Sequence, residues 1–140
     1  MKDKASLHRR TQDLIDCFAG TDPLKEMSEL GKNGDEEEAA LKWLALAALH
    51  GINMNARQIS ISKSIDGQVK VVAEYRDAEL PSPGPTIGQR IIDVIRRITF
   101  LQADMGSTVL AMGIRDGSID VRVIAEKKKD GEKISLSFPD

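Results

Sequence analysis

The chain has 140 residues, of which 41% are hydrophobic and 30% are charged, and its formal net charge is −2. This balance excludes a disordered or low-complexity chain, and the length suffices for one hydrophobic core without a disulfide or a structural metal. The near-neutral charge also lacks the basic excess of most nucleic-acid-binding domains, which argues against nucleic acid as a partner.

Two helices are expected at the N-terminus. Residues 6–19 place apolar side chains at helical spacing with charged side chains between them, and predict an amphipathic helix that ends at Gly20. Asp22 followed by Pro23 is a capping carboxylate before a proline at the first helical position. This pair predicts a short second helix that ends at Gly31.

The third helix has the clearest signal in the sequence. Asp35 caps it, and the acidic residues of its first turn lie where the helix dipole is positive. Nearly every residue from 39 to 49 is Ala, Leu or Trp, so burial on most sides is expected. The helix is predicted to end near His50, with Gly51 as its left-handed stop.

After residue 57 the apolar residues alternate with polar ones, and a β-hairpin is predicted. Residues paired across a hairpin share one face of the sheet, so apolar residues should pair with apolar residues. A three-residue loop at 65–67, with a left-handed glycine, pairs Ile61 with Val71 and Ile59 with Ala73. A two-residue turn would set polar and charged side chains opposite apolar ones, so the longer loop is preferred.

A fourth helix follows the Pro- and Gly-rich connector at residues 80–85. With Thr86 as its cap, apolar residues recur at helical steps and predict a helix over 86–105 that ends at Gly106. One face of this helix is expected to pack along the sheet.

The remaining residues alternate again and predict three strands. Two Asp-Gly pairs, at 116–117 and 130–131, are typical of two-residue hairpin turns. These turns align Leu110, Met112 and Ile114 with Val123, Val121 and Ile119, and Val123 and Ala125 with Phe138 and Leu136. One face of the sheet is then apolar and the other mostly polar, as in an antiparallel sheet covered by helices on one side.

The fold class that follows is a two-layer α+β domain. N-terminal helices precede a β-β-α-β-β-β antiparallel sheet with helices on one face. We expect a single domain over residues 1–140, with a helical extension at 1–34 and an α-β-β-α-β-β-β core at 35–140. From the third helix onward this element order resembles that of roadblock and longin-type domains, which implies the strand order 2-1-5-4-3. The resemblance rests on element order and on no motif, so it implies a fold and no function.

No residue set predicts catalysis, metal binding or a cofactor. The two histidines, His8 and His50, fall on different helices outside any metal-ligand spacing, and His50 fits a helix end. The lone Cys17 lies in an amphipathic helix and is expected to be buried. The acidic run at 35–38 fits a helix start better than a calcium loop, and the sequence contains no glycine-rich nucleotide motif.

One basic feature is a candidate anion patch on the fourth helix. It consists of a threonine and three arginines: Thr86, Arg90, Arg96 and Arg97. The backbone amides before Thr86 and the arginine side chains would be the donors. The alternative is a solvated helix face on which Asp93 pairs with the arginines, and the lysines at 127–129 are likewise typical of a soluble hairpin tip.

The feature that most strongly suggests association is the third strand. Its residues are uncharged and include no proline: Thr108, Val109, Leu110, Ala111, Met112, Gly113 and Ile114. At a sheet edge such a segment offers backbone groups to a partner strand, whereas Lys70, Glu74 and Arg76 would discourage pairing at the opposite edge. We predict a homodimer or another protein bound at this strand or at the helix surface beside it. The alternative is that the first two helices cover it.

The predicted function is a small protein-interaction or regulatory module without catalytic activity, which self-associates. One alternative is a ligand-binding protein or an enzyme with a pocket between helix 86–105 and the sheet, where Arg90, His50 or carboxylates would converge. The other alternative is nucleic-acid binding through the basic patches.

The expected location is the cytoplasm. A lone cysteine makes no internal disulfide, and no apolar secretory stretch follows the first four residues. A membrane span is not expected, because the longest apolar-rich run, residues 39–49, is much shorter than the roughly 20 residues that a bilayer requires.

Overall fold

The computed structural model describes residues 3–18, 20–28, 36–74, 78–80, 82–101, 104–114 and 117–139. Its helices are α1 (Asp3–Phe18), α2 (Pro23–Ser28), α3 (Glu36–Asn53) and α4 (Pro85–Thr99). Its strands are β1 (Gln58–Ser64), β2 (Val69–Ala73), β3 (Ala78–Leu80), β4 (Met105–Ile114), β5 (Gly117–Lys128) and β6 (Gly131–Ser137). The predicted end of the second helix at Gly31 and the predicted cap Asp35 lie outside the described residues.

The strands form one antiparallel sheet. Within the described part of the chain it has six strands in the order β3-β2-β1-β6-β5-β4. Five of these are the predicted strands in the predicted order 2-1-5-4-3, and β3 is an additional short strand beside β2. The predicted α+β class and topology are therefore confirmed.

Strand β3 forms where the sequence predicts the start of a connector. It pairs with β2, with Val71 opposite Leu80 and Ala73 opposite Ala78. Leu80 is buried in the core, and this burial favours a strand over a solvated loop. Because β3 covers it, β2 is an interior strand, and the prediction of a charged edge at β2 is wrong.

The hairpin of β1 and β2 has the predicted three-residue loop. Ile61 pairs with Val71 and Ile59 pairs with Ala73. Gly67 is left-handed, with φ 92°, as a loop of this length requires. Apolar pairing across the strands was therefore sufficient to choose the register.

The two later hairpins differ from their predicted registers by two residues. Leu110 lies opposite Val121, and Val123 lies opposite Leu136. Gly131 is the first residue of β6 rather than part of the turn, and a Cβ there would overlap the backbone of β1. Close approach of β1 thus explains this glycine, while the turn between β4 and β5 lies outside the described residues. A shift of two residues keeps the same side chains on the inner face.

Helix α3 continues past its predicted stop. Gly51 lies inside the helix and is buried, and the helix ends at Asn53. The left-handed residue after it is Asn55, with φ 55°. A Cβ on Gly51 would overlap the ring of Phe138, so close packing against the end of β6 accounts for the glycine.

Helix α4 is shorter than the predicted helix 86–105. Its N-cap is Gly84, in place of Thr86. Its last residue is Thr99, because Phe100 adopts a left-handed conformation with φ 58°. Met105, the last residue of the predicted helix, is instead the first residue of β4.

The described residues form one hydrophobic core between the sheet and helices α3 and α4. Inner-face residues of every predicted strand are buried there: Ile59, Ile61, Val71, Leu110, Met112, Val121 and Leu136. Trp43 and the neighbouring apolar residues of α3 are buried as predicted for a helix that is apolar on most sides. Helix α1 packs on α3 and α4 and reaches the edge strand β4.

Candidate functional site

Strand β4 is one edge of the sheet, and its alternate residues direct their backbone groups away from β5. Lys127 donates its N–H to the carbonyl of Asp104 at 2.6 Å, so residue 104 faces β5. Gly113 directs both of its groups to Gln12 of α1 and therefore faces outward. Because the register is continuous, residues in phase with Gly113 also face outward. They are Met105, Ser107, Val109 and Ala111.

Gln12 closes one end of this edge. Its Nε2 donates to the carbonyl of Gly113 at 2.7 Å, and its Oε1 accepts from the N–H of Gly113 at 2.8 Å. The side-chain amide thus takes the place of a neighbouring strand at this residue. Ala111 is also engaged in an interaction. Coverage of β4 by an N-terminal helix, the alternative raised by the sequence, is therefore found at the end of the strand.

Replacing Gln12 with leucine is expected to lower the free energy of unfolding by about 1–2 kcal/mol, because each lost hydrogen bond contributes about 0.5–1.5 kcal/mol. The amide of Gly113 should also exchange faster with deuterated solvent. Urea denaturation and hydrogen exchange measure the two effects. Gln89→Leu is the control, because the Gln89 amide bonds to side chains of β1 and α4. Unchanged exchange at Gly113 in the Gln12 variant would contradict the hydrogen bonding of Gln12 to Gly113.

The start of β4 is open. In the described structure no group hydrogen-bonds to the outward backbone of Ser107 or Val109. Met105 is 65% exposed and Val109 is 48% exposed, and Phe100 at the end of α4 is 63% exposed. These are three of the five large apolar side chains that are exposed among the described residues. We call Met105, Ser107 and Val109 the open edge.

The residues of the predicted partner strand do not all lie on one surface. Leu110 and Met112 are buried in the core, and Thr108 shares their face of the sheet. The side chain of Ile114 lies outside the described residues. Val109 is the member of the predicted set that belongs to the open edge, so the candidate surface moves toward the start of β4.

The sequence analysis missed two residues of the open edge, Met105 and Ser107, and it also missed Gln12, which binds the other end of β4. The helical spacing assigns Met105 to the preceding helix, and Ser107 then falls in a loop. Gln12 lies among the polar residues of an amphipathic helix, 101 residues from Gly113 in sequence. None of the three carries a local signal that could have identified it.

Each arginine of the predicted anion patch has a carboxylate partner. The pairs are Arg90 with Glu36 at 3.3 Å, Arg96 with Glu132 at 2.7 Å and Arg97 with Glu37 at 3.6 Å. Asp93 is not their partner and accepts instead from Gln89 at 2.9 Å. Thr86 is exposed at the start of α4. Since the carboxylates offset the positive charge, the geometry gives the anion patch no support.

The acidic start of α3 joins three helices. Arg10 of α1 donates to Glu37 at 2.8 Å and to Glu38 at 3.0 Å, and Arg97 of α4 lies 3.6 Å from the other carboxylate oxygen of Glu37. The hydrogen bond from Arg10 is the main cause of the lowered pKa of Glu37, and the charge of Arg97 acts in the same direction. Among the described residues no cluster of three or more His, Cys, Asp or Glu side chains could hold a metal ion.

Two chemically reactive side chains that the structure describes, His50 and Cys17, lie on helices α3 and α1. His50 is buried in α3, and burial lowers its pKa, while the charge of Asp22 opposes this shift. Cys17 is exposed, which contradicts the expectation that it is buried. Thr11 and Ile15 take the inner face of α1, and Cys17 falls outside that stripe.

The burial of His50 predicts a loss of stability in mild acid. Its pKa in the folded protein lies below the ordinary value of 6.5, so the unfolded chain binds a proton that the folded chain resists. The free energy of unfolding should therefore fall as the pH drops below 6.5 toward the folded pKa. Urea denaturation between pH 7 and pH 5 measures this slope, and His50→Gln should flatten it. An unchanged slope in the His50 variant would refute the assignment.

Helix α4 packs its apolar side chains into the core. Its inner residues are fully buried: Ile91, Val94, Ile95 and Ile98. A cleft of about 350 Å³ opens at the start of α4, lined by Glu36, Lys63, Pro85, Thr86, Gln89, Arg90 and Asp93. Lys63 donates to Gln89 there at 2.9 Å. The charged groups of the cleft are thus paired within it, Arg90 with Glu36 and Asp93 with Gln89. His50 is not part of the lining, and the pocket alternative gains no support.

A comparison with known protein families and with curated protein sequences finds no match to the chain. None of the described helices combines the length and the apolar character needed to cross a bilayer. The open edge of β4 is the feature whose geometry supports a function best.

Proposed function

We propose that the protein is a small cytoplasmic protein-interaction module without catalytic activity, which self-associates by adding a strand to the open edge of β4. One observation carries the proposal. At this site outward backbone groups of Ser107 and Val109 lie beside the exposed apolar side chains of Met105 and Val109. A partner strand would satisfy the backbone groups and cover the side chains in one step.

The two edges of the sheet differ in a way that supports this proposal. Strand β3 has three residues, and Pro81 follows it in sequence, so that edge is short and ends at a residue unable to donate. Strand β4 has ten residues, with no charge and no proline among them. Proteins usually blunt long edges with charges, prolines or a covering element. Here α1 covers the end at Gly113 and the start remains open.

The energetics suit a reversible association. Each added backbone hydrogen bond contributes about 0.5–1.5 kcal/mol, and covering Met105 and Val109 adds about 25 cal/mol for each Å² of apolar surface removed from water. Association also costs translational and rotational freedom, so a short strand contact gives moderate affinity. The backbone bonds would supply affinity, while the two side chains would favour an apolar partner segment.

The cytoplasmic part of the proposal rests on cysteine chemistry. Cys17 is an exposed free thiol, and such thiols persist in reducing compartments.

The test is sedimentation velocity over a micromolar to millimolar concentration range. Wild-type protein is expected to self-associate, and Val109→Lys should weaken the association at least about tenfold by placing a charge on the edge. Ile65→Lys is the matched control, because Ile65 is 81% exposed at the turn of β1 and β2, away from β4. A wild-type chain that stays monomeric throughout, or equal weakening by both variants, would overturn the proposal.

A further inference from the structure

The open edge has a definite length and orientation, which restrict what can pair with it. Its outward groups belong to three alternate residues, Met105, Ser107 and Val109. Beyond them Ala111 is engaged, and Gly113 is bound by Gln12. A partner strand therefore pairs with a segment of five residues, 105–109. Its own hydrogen-bonding backbone groups must lie opposite those of Met105, Ser107 and Val109.

From this geometry we infer that the occupant is a second copy of the chain, whose β4 runs antiparallel to the first about a two-fold axis at Ser107. The inference rests on the proposed function and names its partner and register. Ser107 then lies opposite Ser107 of the second copy, and Met105 lies opposite Val109 of the second copy. Two six-stranded sheets of described strands would join into one continuous sheet.

Other two-fold registers leave groups of the open edge without a partner. An axis at Val109 would set Met105 opposite Gly113, whose backbone is already bound by Gln12. An axis at Thr108 would set Met105 opposite the engaged Ala111. An axis at Met105 or at Gly106 would set Val109 opposite residues that precede β4. The axis at Ser107 pairs all three outward residues within the segment 105–109.

The side chains of the open edge are also complementary to themselves in this register. Met105 and Val109 lie on the outer face of the sheet, opposite the core, together with their β5 partners, Glu126 and Arg122. Across the contact one row reads Glu126 and Met105, then Val109 and Arg122 of the second copy. An apolar pair lies at the centre of each row, and side chains of opposite charge flank it.

The register can be tested by disulfide formation in a Cys17→Ser background. Directly opposed hydrogen-bonded residues of antiparallel strands have Cα atoms about 5.5 Å apart. This separation lies within disulfide range, so Ser107→Cys should cross-link to its copy under mild oxidation. The two copies of residue 109 would be four residues apart along the strands, about 13 Å. Val109→Cys alone should therefore cross-link at least about tenfold more slowly.

A mixture of two cysteine variants tests the predicted pairing of Met105 with Val109 of the second copy. Met105→Cys protein mixed with Val109→Cys protein should form the cross-linked heterodimer faster than either variant forms a homodimer. If Val109→Cys cross-links to itself as fast as Ser107→Cys, the register is wrong. If Ser107→Cys does not cross-link although wild-type protein associates and Val109→Lys weakens it, the symmetric pairing fails while the proposed function stands. A monomeric wild-type chain would overturn both.

Discussion

Gly51→Leu is expected to lower the free energy of unfolding by about 3 kcal/mol, the upper range for side chains forced into a filled core. Gly51 is buried within α3, and even a Cβ there would overlap the ring of Phe138. The leucine must therefore displace the aromatic ring that closes the core after β6. Urea denaturation followed by circular dichroism measures the loss.

Gly20→Leu is the matched control for this variant. A Cβ on Gly20 meets no atom within 4 Å, so stability should change by no more than about 0.5 kcal/mol. Adding Phe138→Ala to the Gly51 variant frees space for the leucine. The double variant should therefore lose less free energy of unfolding than the sum of the losses in the two single variants. Equal stability of the Gly51 and Gly20 variants would contradict the close packing of α3 against the end of β6.

Leu136→Ala is expected to cost about 2–5 kcal/mol of the free energy of unfolding, the range for buried leucines that leave a cavity. Leu136 lies on β6 between β1 and β5, opposite Ile59 and Val123, and is fully buried. Ile65→Ala is the control, because Ile65 is exposed in a turn. Thermal and urea unfolding compare the two. A loss at Leu136 as small as that at Ile65 would mean that the centre of the sheet is not the core.

The alternation of apolar residues was enough to predict five strands and one register, whereas the strand order was implied by the resemblance in element order. In the first hairpin, Ile59 faces Ala73 in the observed register but would face Glu74 with a two-residue turn, so the choice was determined locally. In the later hairpins several registers bury similar side chains. The position of the Asp-Gly pairs then decided the prediction, and both predicted registers differ from the observed ones by two residues.

Glycines account for much of what the sequence could not predict. Gly51 and Gly131 both occur where a helix stop or a turn is expected, and both are instead sites of close approach by a distant part of the chain. A glycine that allows a left-handed turn and a glycine that makes room for a neighbour are the same residue in sequence. The two uses can be told apart only when the packing is known.

The candidate site was predicted in part. The uncharged composition of the strand identified β4 as the edge with a capacity to pair. Its open portion could not be located, because the helical spacing of Met105 hid the start of the strand. The clamp of Gln12 on Gly113 joins residues 101 positions apart, so local pattern carries no information about it.

Hydrogen exchange at single-residue resolution, measured over a series of protein concentrations, tests the open edge most directly. The amides of Ser107 and Val109 are predicted to exchange rapidly in dilute protein and to slow as the concentration rises. The amide of Gly113 is predicted to stay protected at every concentration. Rapid exchange at Ser107 and Val109 in a fully associated sample would show that the chains meet elsewhere.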